Sequence, residues 1–413
     1  MQSISTQILR SLLLASLFAH PTLFAAEIEW RFEAEGRLAG KPAITERRLY
    51  ITGGNTVYAL TLAGKELWRK ELAGNIAAAV AVDGDRLYVH SSAGLHALTD
   101  AGKEIWTYES PDPGPLVDGR TWGWGNEILA DPWGWYRSAP TVHRETVVFG
   151  SGTGVHAVSK DSGDRVWAVP GATVTADLVV YEETIVAASW NNSIYGLDSA
   201  SGKVRWRFQA QLPASKGLDW IGYRGFHLTP VLHEGRVFAG TRGTYFYAIN
   251  AEDGTEAWSS KVGSSWIGSP AMILDEGVYY GLSDGFALMG FRHDTGAQTL
   301  FFRTASPIFA QPQPHGKKLV FGTLAGRLFS IDTVSGEGQL LINLGPEENL
   351  YPDAFKPENM PKDLNRYQAI QWSIDRLLTN AQSVLNLTIH DGTAYVGTGS
   401  GVLYAVNLDL QGE

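Results

Sequence analysis

Cysteine is absent from the 413-residue chain, and that gap removes several chemistries at once. There can be no thiol nucleophile, no Cys-ligated zinc, no c-type haem attachment and no lipid-modified N-terminal cysteine. No disulfide can brace the fold, so a large closed core must hold it. Charged residues are few, at 18%, and their balance is −10. That balance argues against nucleic acid or an anionic membrane surface as partner, since both select basic patches. No segment approaches the ~20 consecutive apolar residues of a transmembrane helix. Catalytic signatures are missing too: no phosphate-cradling glycine loop, no H-E-x-x-H and no nucleophile elbow. "GSGTG" at Gly150 runs into a strand pattern rather than a helix.

The first 26 residues differ from the rest: one Arg in "MQSISTQILR", a short apolar run "SLLLASLFA", then small residues. This pattern predicts a secretory signal peptide, residues 1–26, cut near Ala25 or Ala26 and too short in its apolar part to anchor. The mature protein, 27–413, is expected in the periplasm or outside the cell.

What the chain has in quantity is glycine (46) and aromatic residues, including 14 Trp. They recur together. "DSASGKVRW", ending at Trp206, has close copies ending at Trp68, Trp106, Trp167 and Trp258, and weaker ones at Leu300 and Leu340. In each a glycine stands four residues before the large apolar residue: Gly64, Gly102, Gly163, Gly202, Gly254, Gly296 and Gly336. A spacing near forty residues is the mark of a repeat architecture. Arg137 to Val169 reads as four short β-rich runs separated by turn residues, strands A to D of one antiparallel sheet.

The third strand recurs eight times, at Tyr58, His96, His156, Tyr195, Tyr247, Met289, Phe329 and Tyr404. After Tyr404 no D strand remains, while "EIEWRF" near the N-terminus resembles a D strand with nothing before it. The pattern therefore predicts an all-β, eight-bladed propeller of four-stranded blades, its ring closed by the N-terminal strand, which leaves no open array edge. In each copy the glycine makes the C–D turn and the Trp after it packs between sheets.

Gly-Lys-x-x-Trp after an Asp/Ser turn, repeated around eight blades, resembles the PQQ-like β-propeller repeat family. That family includes quinoprotein alcohol dehydrogenases and the propeller lipoprotein of the outer-membrane β-barrel assembly machinery. The resemblance covers nearly the whole mature chain and implies architecture more than activity.

Strand alternation places D–A connections and B–C turns on one face. The three long connections, 110–135, 209–225 and 345–381, all lie between a D strand and the next A strand, so this is the expected working face. It holds Trp122, Trp124, Trp133 and Trp135 in the first, Trp220, Tyr223 and Arg224 in the second, and Tyr351, Phe355, Tyr367 and Trp372 in the third. The third also predicts a short helix with Tyr367, Ile370, Ile374 and Leu377 on one side. B–C turns add Trp190, Asn191, Asn192, Arg242 and Asp284. The A strands begin at Tyr136, Phe226, Trp266 and Phe309, so Arg137, His227 and Gln311 are expected to line the central mouth. Aromatics interleaved with polar groups suit a protein's apolar side chains, a flat cofactor or a sugar ring.

The leading expectation is an exported, non-catalytic binding or scaffold module whose partner is an envelope protein. A quinoprotein dehydrogenase holding PQQ with calcium is the alternative the resemblance implies. An extracellular glycan, bound or cleaved on the aromatic face, is a third. No catalytic residue, metal ligand or calcium set can be assigned from the pattern.

Overall fold

The computed structural model describes residues 26–211, 225–263 and 265–409. Eight four-stranded antiparallel sheets form the ring, each with strand order A-B-C-D. Blades 1 to 7 occupy 43–71, 81–109, 141–170, 179–209, 231–261, 272–303 and 313–343. Blade 8 takes its A to C strands from 384–407 and its D strand from Glu27–Glu33. That first strand pairs antiparallel with Val402–Asn407, from Glu27 opposite Asn407 to Glu33 opposite Val402. The predicted ring closure is therefore realised, and the two ends of the chain share one sheet. Among the described residues no helix is long and apolar enough to cross a membrane.

The core lies between blades. Eight clusters of buried apolar side chains each join two neighbouring sheets, such as Leu38, Leu49, Tyr58, Tyr395 and Leu403 between blades 8 and 1. A ninth, taken up below, lies under the insertions.

The repeated glycine and tryptophan are halves of one joint. Gly254, at φ +74°, sits so close to Trp206 of the preceding blade that an added Cβ would lie 2.5 Å from the ring. Gly64, Gly102, Gly163, Gly202 and Gly296 meet Trp30, Trp68, Trp106, Trp167 and Trp258 in the same way. Five of these indoles also donate Nε1–H to a backbone carbonyl of the next blade: Trp68 to Asp100, Trp106 to Lys160, Trp167 to Ser199, Trp206 to Ala251 and Trp258 to His293. A β-bulge just before each Trp re-aims it toward that neighbour. The bulged Leu67, Ile105 and Val166 are left facing solvent.

The A strands begin later than expected. In blades 1, 3, 5 and 7 pairing starts immediately after Pro42, Pro140, Pro230 and Pro312. Proline has no N–H for the ladder, so the residues before it run as unpaired backbone along the axis.

Candidate functional site

The first insertion folds into a hairpin, Leu116–Asp118 with Ile128–Ala130, around the short helix Gly119–Trp122. Trp122 closes that helix. Two buried aspartates fasten the segment to the ring. Asp112 accepts Gly114 N–H at 2.8 Å and Gly152 N–H at 2.7 Å, and pairs with Arg137 at 2.8 Å. Asp131 accepts Trp133 N–H at 2.8 Å and forms an ion pair with Arg242 in the B–C turn of blade 5. Both side chains of that second pair are 1% exposed, so the charges compensate each other in a dry setting.

Arg242 is also held between two indoles. Its guanidinium carbon lies 4.4 Å from the Trp190 ring and 4.2 Å from that of Trp266, which suits a weakly hydrated planar cation. Trp190 is itself fixed by Nε1–H to Thr175 Oγ1 at 2.8 Å. Asn191, beside it, is exposed and donates to Tyr195 Oη. His227 packs against Tyr136, Trp190 and Trp266. Neither of its ring nitrogens has a hydrogen-bond partner among the described residues. Burial, reinforced by the Arg242 charge, holds its pKa well below the ordinary imidazole value, so it is neutral at pH 7.

Trp133 is the hub of the aromatic face. It stacks on Phe309 and packs against Trp135, Trp266 and Phe355. The helix Arg366–Asn380 of the third insertion starts with a capping box between Asn365 and Gln368, and buries Ile374, Leu377 and Leu378 in the ninth cluster with Phe309, Trp133 and Trp135. The predicted helix is present with its expected inner face. Tyr367 donates its hydroxyl to Ala130 O at 2.8 Å and packs against Trp124, so the first and third insertions join over the axis. Arg37 adds a bridge from the blade 8–blade 1 connection: it lies against Trp135 and pairs with Asp375 on the helix.

Below this cover is a central cavity walled by Trp135, Arg137, His227, Phe309 and Gln311, together with Lys41 and Asp177. Lys41 donates to Gln311 and Gln313 Oε1, each at 3.3 Å. Burial lowers its pKa, partly offset by the charge of Asp177. Burial raises the Asp177 carboxyl, although Ala139 N–H donates to it at 2.6 Å.

The structure thus gathers Trp133, Trp135, Arg137, Trp190, His227, Arg242, Trp266 and Gln311 around one mouth. Trp124 sits at its edge on Tyr367. Trp372 stands apart on the outer side of the helix, beside Arg376 and a crevice with Asp353 and Asn359. Trp220 and Tyr223 lie outside the described residues.

Lys41, Asp177, Asp112 and Asp131 were not anticipated. For two of them a signal existed. Lys41, Ala139, Thr229 and Gln311 each precede the proline that starts an A strand, and Asp177 holds the same place in blade 4, where Leu178 replaces the proline. Aligning blades on that position picks out the ring of residues facing the axis.

The cavity does not fit PQQ with calcium. Calcium takes six to eight oxygen ligands, carboxylates foremost. Among the described residues Asp177 is the one carboxylate in the wall, and Asn386 stands across the axis in blade 8. The cation Lys41 shares the same wall, and Arg137 is already committed to Asp112.

Comparison with known proteins agrees with this geometry. The family described as outer membrane protein assembly factor BamB matches residues 26–121, 100–219 and 218–410, and the chain belongs to that family. No curated protein is similar to it by sequence. Among solved structures it is similar to BamB from Moraxella catarrhalis, with a TM-score of 0.66 and 14% identity over 92% of this chain and 99% of that one. It is similar also to the quinohemoprotein alcohol dehydrogenase from Comamonas testosteroni, at 0.65 and 13% over 95% and 78%. A europium-containing methanol dehydrogenase stands at 0.63 and 12%, covering 94% of each chain. At such identities these likenesses establish the ring alone, which carries both an assembly factor and enzymes.

Proposed function

We propose that the chain is an exported, non-catalytic binding module that serves outer-membrane protein assembly in the cell envelope, and that its partner docks on the insertion-bearing face. One observation carries this reading: the first and third insertions close over the axis as a fastened platform, through Asp131–Arg242, Tyr367–Ala130 and the Trp133 stack. A platform of that kind offers a shaped outer surface to a macromolecule, whereas an enzyme of this ring needs an open funnel to a reacting group. The family description supports the envelope setting, and the N-terminal apolar segment supports export. Without cysteine, the chain reaches the membrane through its partner rather than through its own lipid.

The test is genetic and biochemical. Removing the chain from its source cell lowers the abundance of outer-membrane β-barrel proteins. Wild type restores it, and a folded variant with 351–375 replaced by a short Gly/Ser linker does not. Unchanged β-barrel levels in the deletion strain, or alcohol oxidation gained on adding PQQ with Ca²⁺, overturns the reading.

A further inference from the structure

On the face opposite the insertions, each blade junction sets the end of one A strand beside the C–D turn of the next blade. Three junctions share a pattern. Arg48, Arg86 and Arg236 reach across to the carbonyls of Asp100, Lys160 and His293, the same oxygens that accept the Trp68, Trp106 and Trp258 indoles. Where the residue at that turn position is Asp100, Lys160, Ser199 or Ala251, it serves the joint through its backbone. At the junction of blades 5 and 6 it is a histidine, and the facing A strand also ends in one, His233, followed by Glu234 in a left-handed turn at φ 47°.

The two imidazoles stand 5.0 Å apart between centroids and nearly perpendicular, at 78°. His233 Nε2 lies 3.9 Å from a Glu234 carboxylate oxygen. One donor atom from each of His233, Glu234 and His293 falls within 4.8 Å of the others, the one such group among the described residues. We propose that these three residues bind a divalent transition-metal ion of the Zn²⁺ type.

The chemistry favours that class. Two imidazole nitrogens and one carboxylate oxygen form a common zinc donor set, with the fourth position open to water or to a donor from another molecule. Nitrogen donors also select against calcium and magnesium, which take oxygen shells. Tetrahedral zinc needs ligand atoms about 3.3 Å apart. Rotation of side chains that are half-buried or exposed closes the remaining gap without moving the backbone.

The frame beneath is rigid. His293 N–H donates to Glu276 O at 3.0 Å, and its carbonyl is held by both Trp258 and Arg236. Nearby cations are occupied: Arg292 by Glu276 and Asp294, Arg236 by the carbonyls of His293 and Asp294. An ion here would clip blade 5 to blade 6 from outside, independently of any role of the opposite face.

The experiment is a titration of tag-free mature protein with Co²⁺ and then Zn²⁺, read by visible absorption and by melting temperature. We expect one equivalent of Co²⁺ to give the intense bands of a tetrahedral site, and Zn²⁺ to displace it. Zn²⁺ should raise the melting temperature, and EDTA should reverse the rise. His293→Ala and Glu234→Gln should each weaken binding by more than about tenfold, since even changes around a metal's ligands cost about that much. His390→Ala, at the exposed His390–Asp391 pair of blade 8, should bind as wild type. Glu234 is exposed, so Glu234→Gln reports on the site even if a histidine variant folds poorly. Absence of saturable one-equivalent binding, or binding as tight as wild type by both Glu234→Gln and His293→Ala, overturns the proposal.

Discussion

The tryptophans of the D strands and those of the insertions are chemically the same residue put to different use. Trp206 makes one joint that recurs around the ring: a glycine under its face, a bulge before it and a carbonyl of the next blade at its Nε1–H. Trp133 and Trp266 belong to an arrangement that occurs once. Their neighbours come from the first insertion, the third insertion and three blades, and a charge, Arg242, sits among the rings. The periodic joint always links a blade to the next one in the chain and needs no ionised group. The mouth is non-local and depends on buried ions.

The largest effect should come from the periodic joint. Trp206→Ala removes a 7% exposed indole from between two blades, at a cost of about 3–5 kcal/mol in the unfolding of the whole ring. Gly254→Ala attacks the same joint from below, where strain at φ +74° adds to the clash with Trp206, and should cost about 1–3 kcal/mol. Denaturant unfolding followed by far-ultraviolet dichroism measures both. If Gly254→Ala proves neutral, the glycine is a turn former only and the joint is weaker than its geometry implies.

Asp131→Ala should come next and look different. It strands the Arg242 guanidinium among Trp190, Trp266 and the neutral His227, and loss of one partner of a buried pair costs about 3–5 kcal/mol where the surroundings cannot relax. Here they can, because the insertion sits at the surface of the ring and its release lets water reach Arg242. The expected cost to ring unfolding is therefore about 1–2 kcal/mol, the scale of a lost hydrogen bond to a charged group. Proteolysis should cut within 110–135 under native conditions. A variant as protease-resistant as wild type would show that the aromatic stack holds the insertion without the ion pair.

The difference between the two regions also decides what could be read from sequence. Blade number and the C–D turns were legible because each is written seven or eight times within a few residues, and ring closure because one D strand is missing after Tyr404 and one stands unmatched at Glu27. The helix Arg366–Asn380 was legible from its apolar spacing. The A strands begin later than apolar alternation alone indicates, because Pro140, Pro230 and Pro312 delay strand pairing, and it is the position before that proline, not the alternation, that marks Lys41 and Asp177. Asp131 was beyond reach. Its partner lies 111 residues away, and nothing local marks an aspartate that will be buried beneath a loop. The mouth was foreseen as a set of residues, through Arg137, His227, Gln311 and the tryptophans, but not as a structure held by Asp112–Arg137 and Asp131–Arg242.

The smallest expected effect separates the regions by pH. A buried histidine flanks each anchor. His90 lies 3.8 Å from Asp112, and His227 lies among the rings that hold Arg242. Burial lowers the His90 pKa to about 4; Asp112 opposes that shift, while Arg137 and His156 add to it. Burial, with the Arg242 charge, holds His227 well below the ordinary imidazole value. Both are neutral in the folded chain at pH values where the unfolded chain already takes up protons. Stability should therefore be full above about pH 6.5 and fall as the pH drops toward 4. The fall is at most about 1.4 kcal/mol per pH unit for each group. The D-strand joints, built from indole N–H and carbonyl, contain no group that titrates in this range. Denaturation midpoints at pH 7 and pH 5.5 should drop for wild type and drop less for His90→Gln with His227→Gln combined. Trp206→Ala should lower both midpoints while leaving their difference unchanged. If the double glutamine variant keeps the full wild-type pH difference, the titrating groups lie elsewhere, and the mouth is no more sensitive to acid than the ring that carries it.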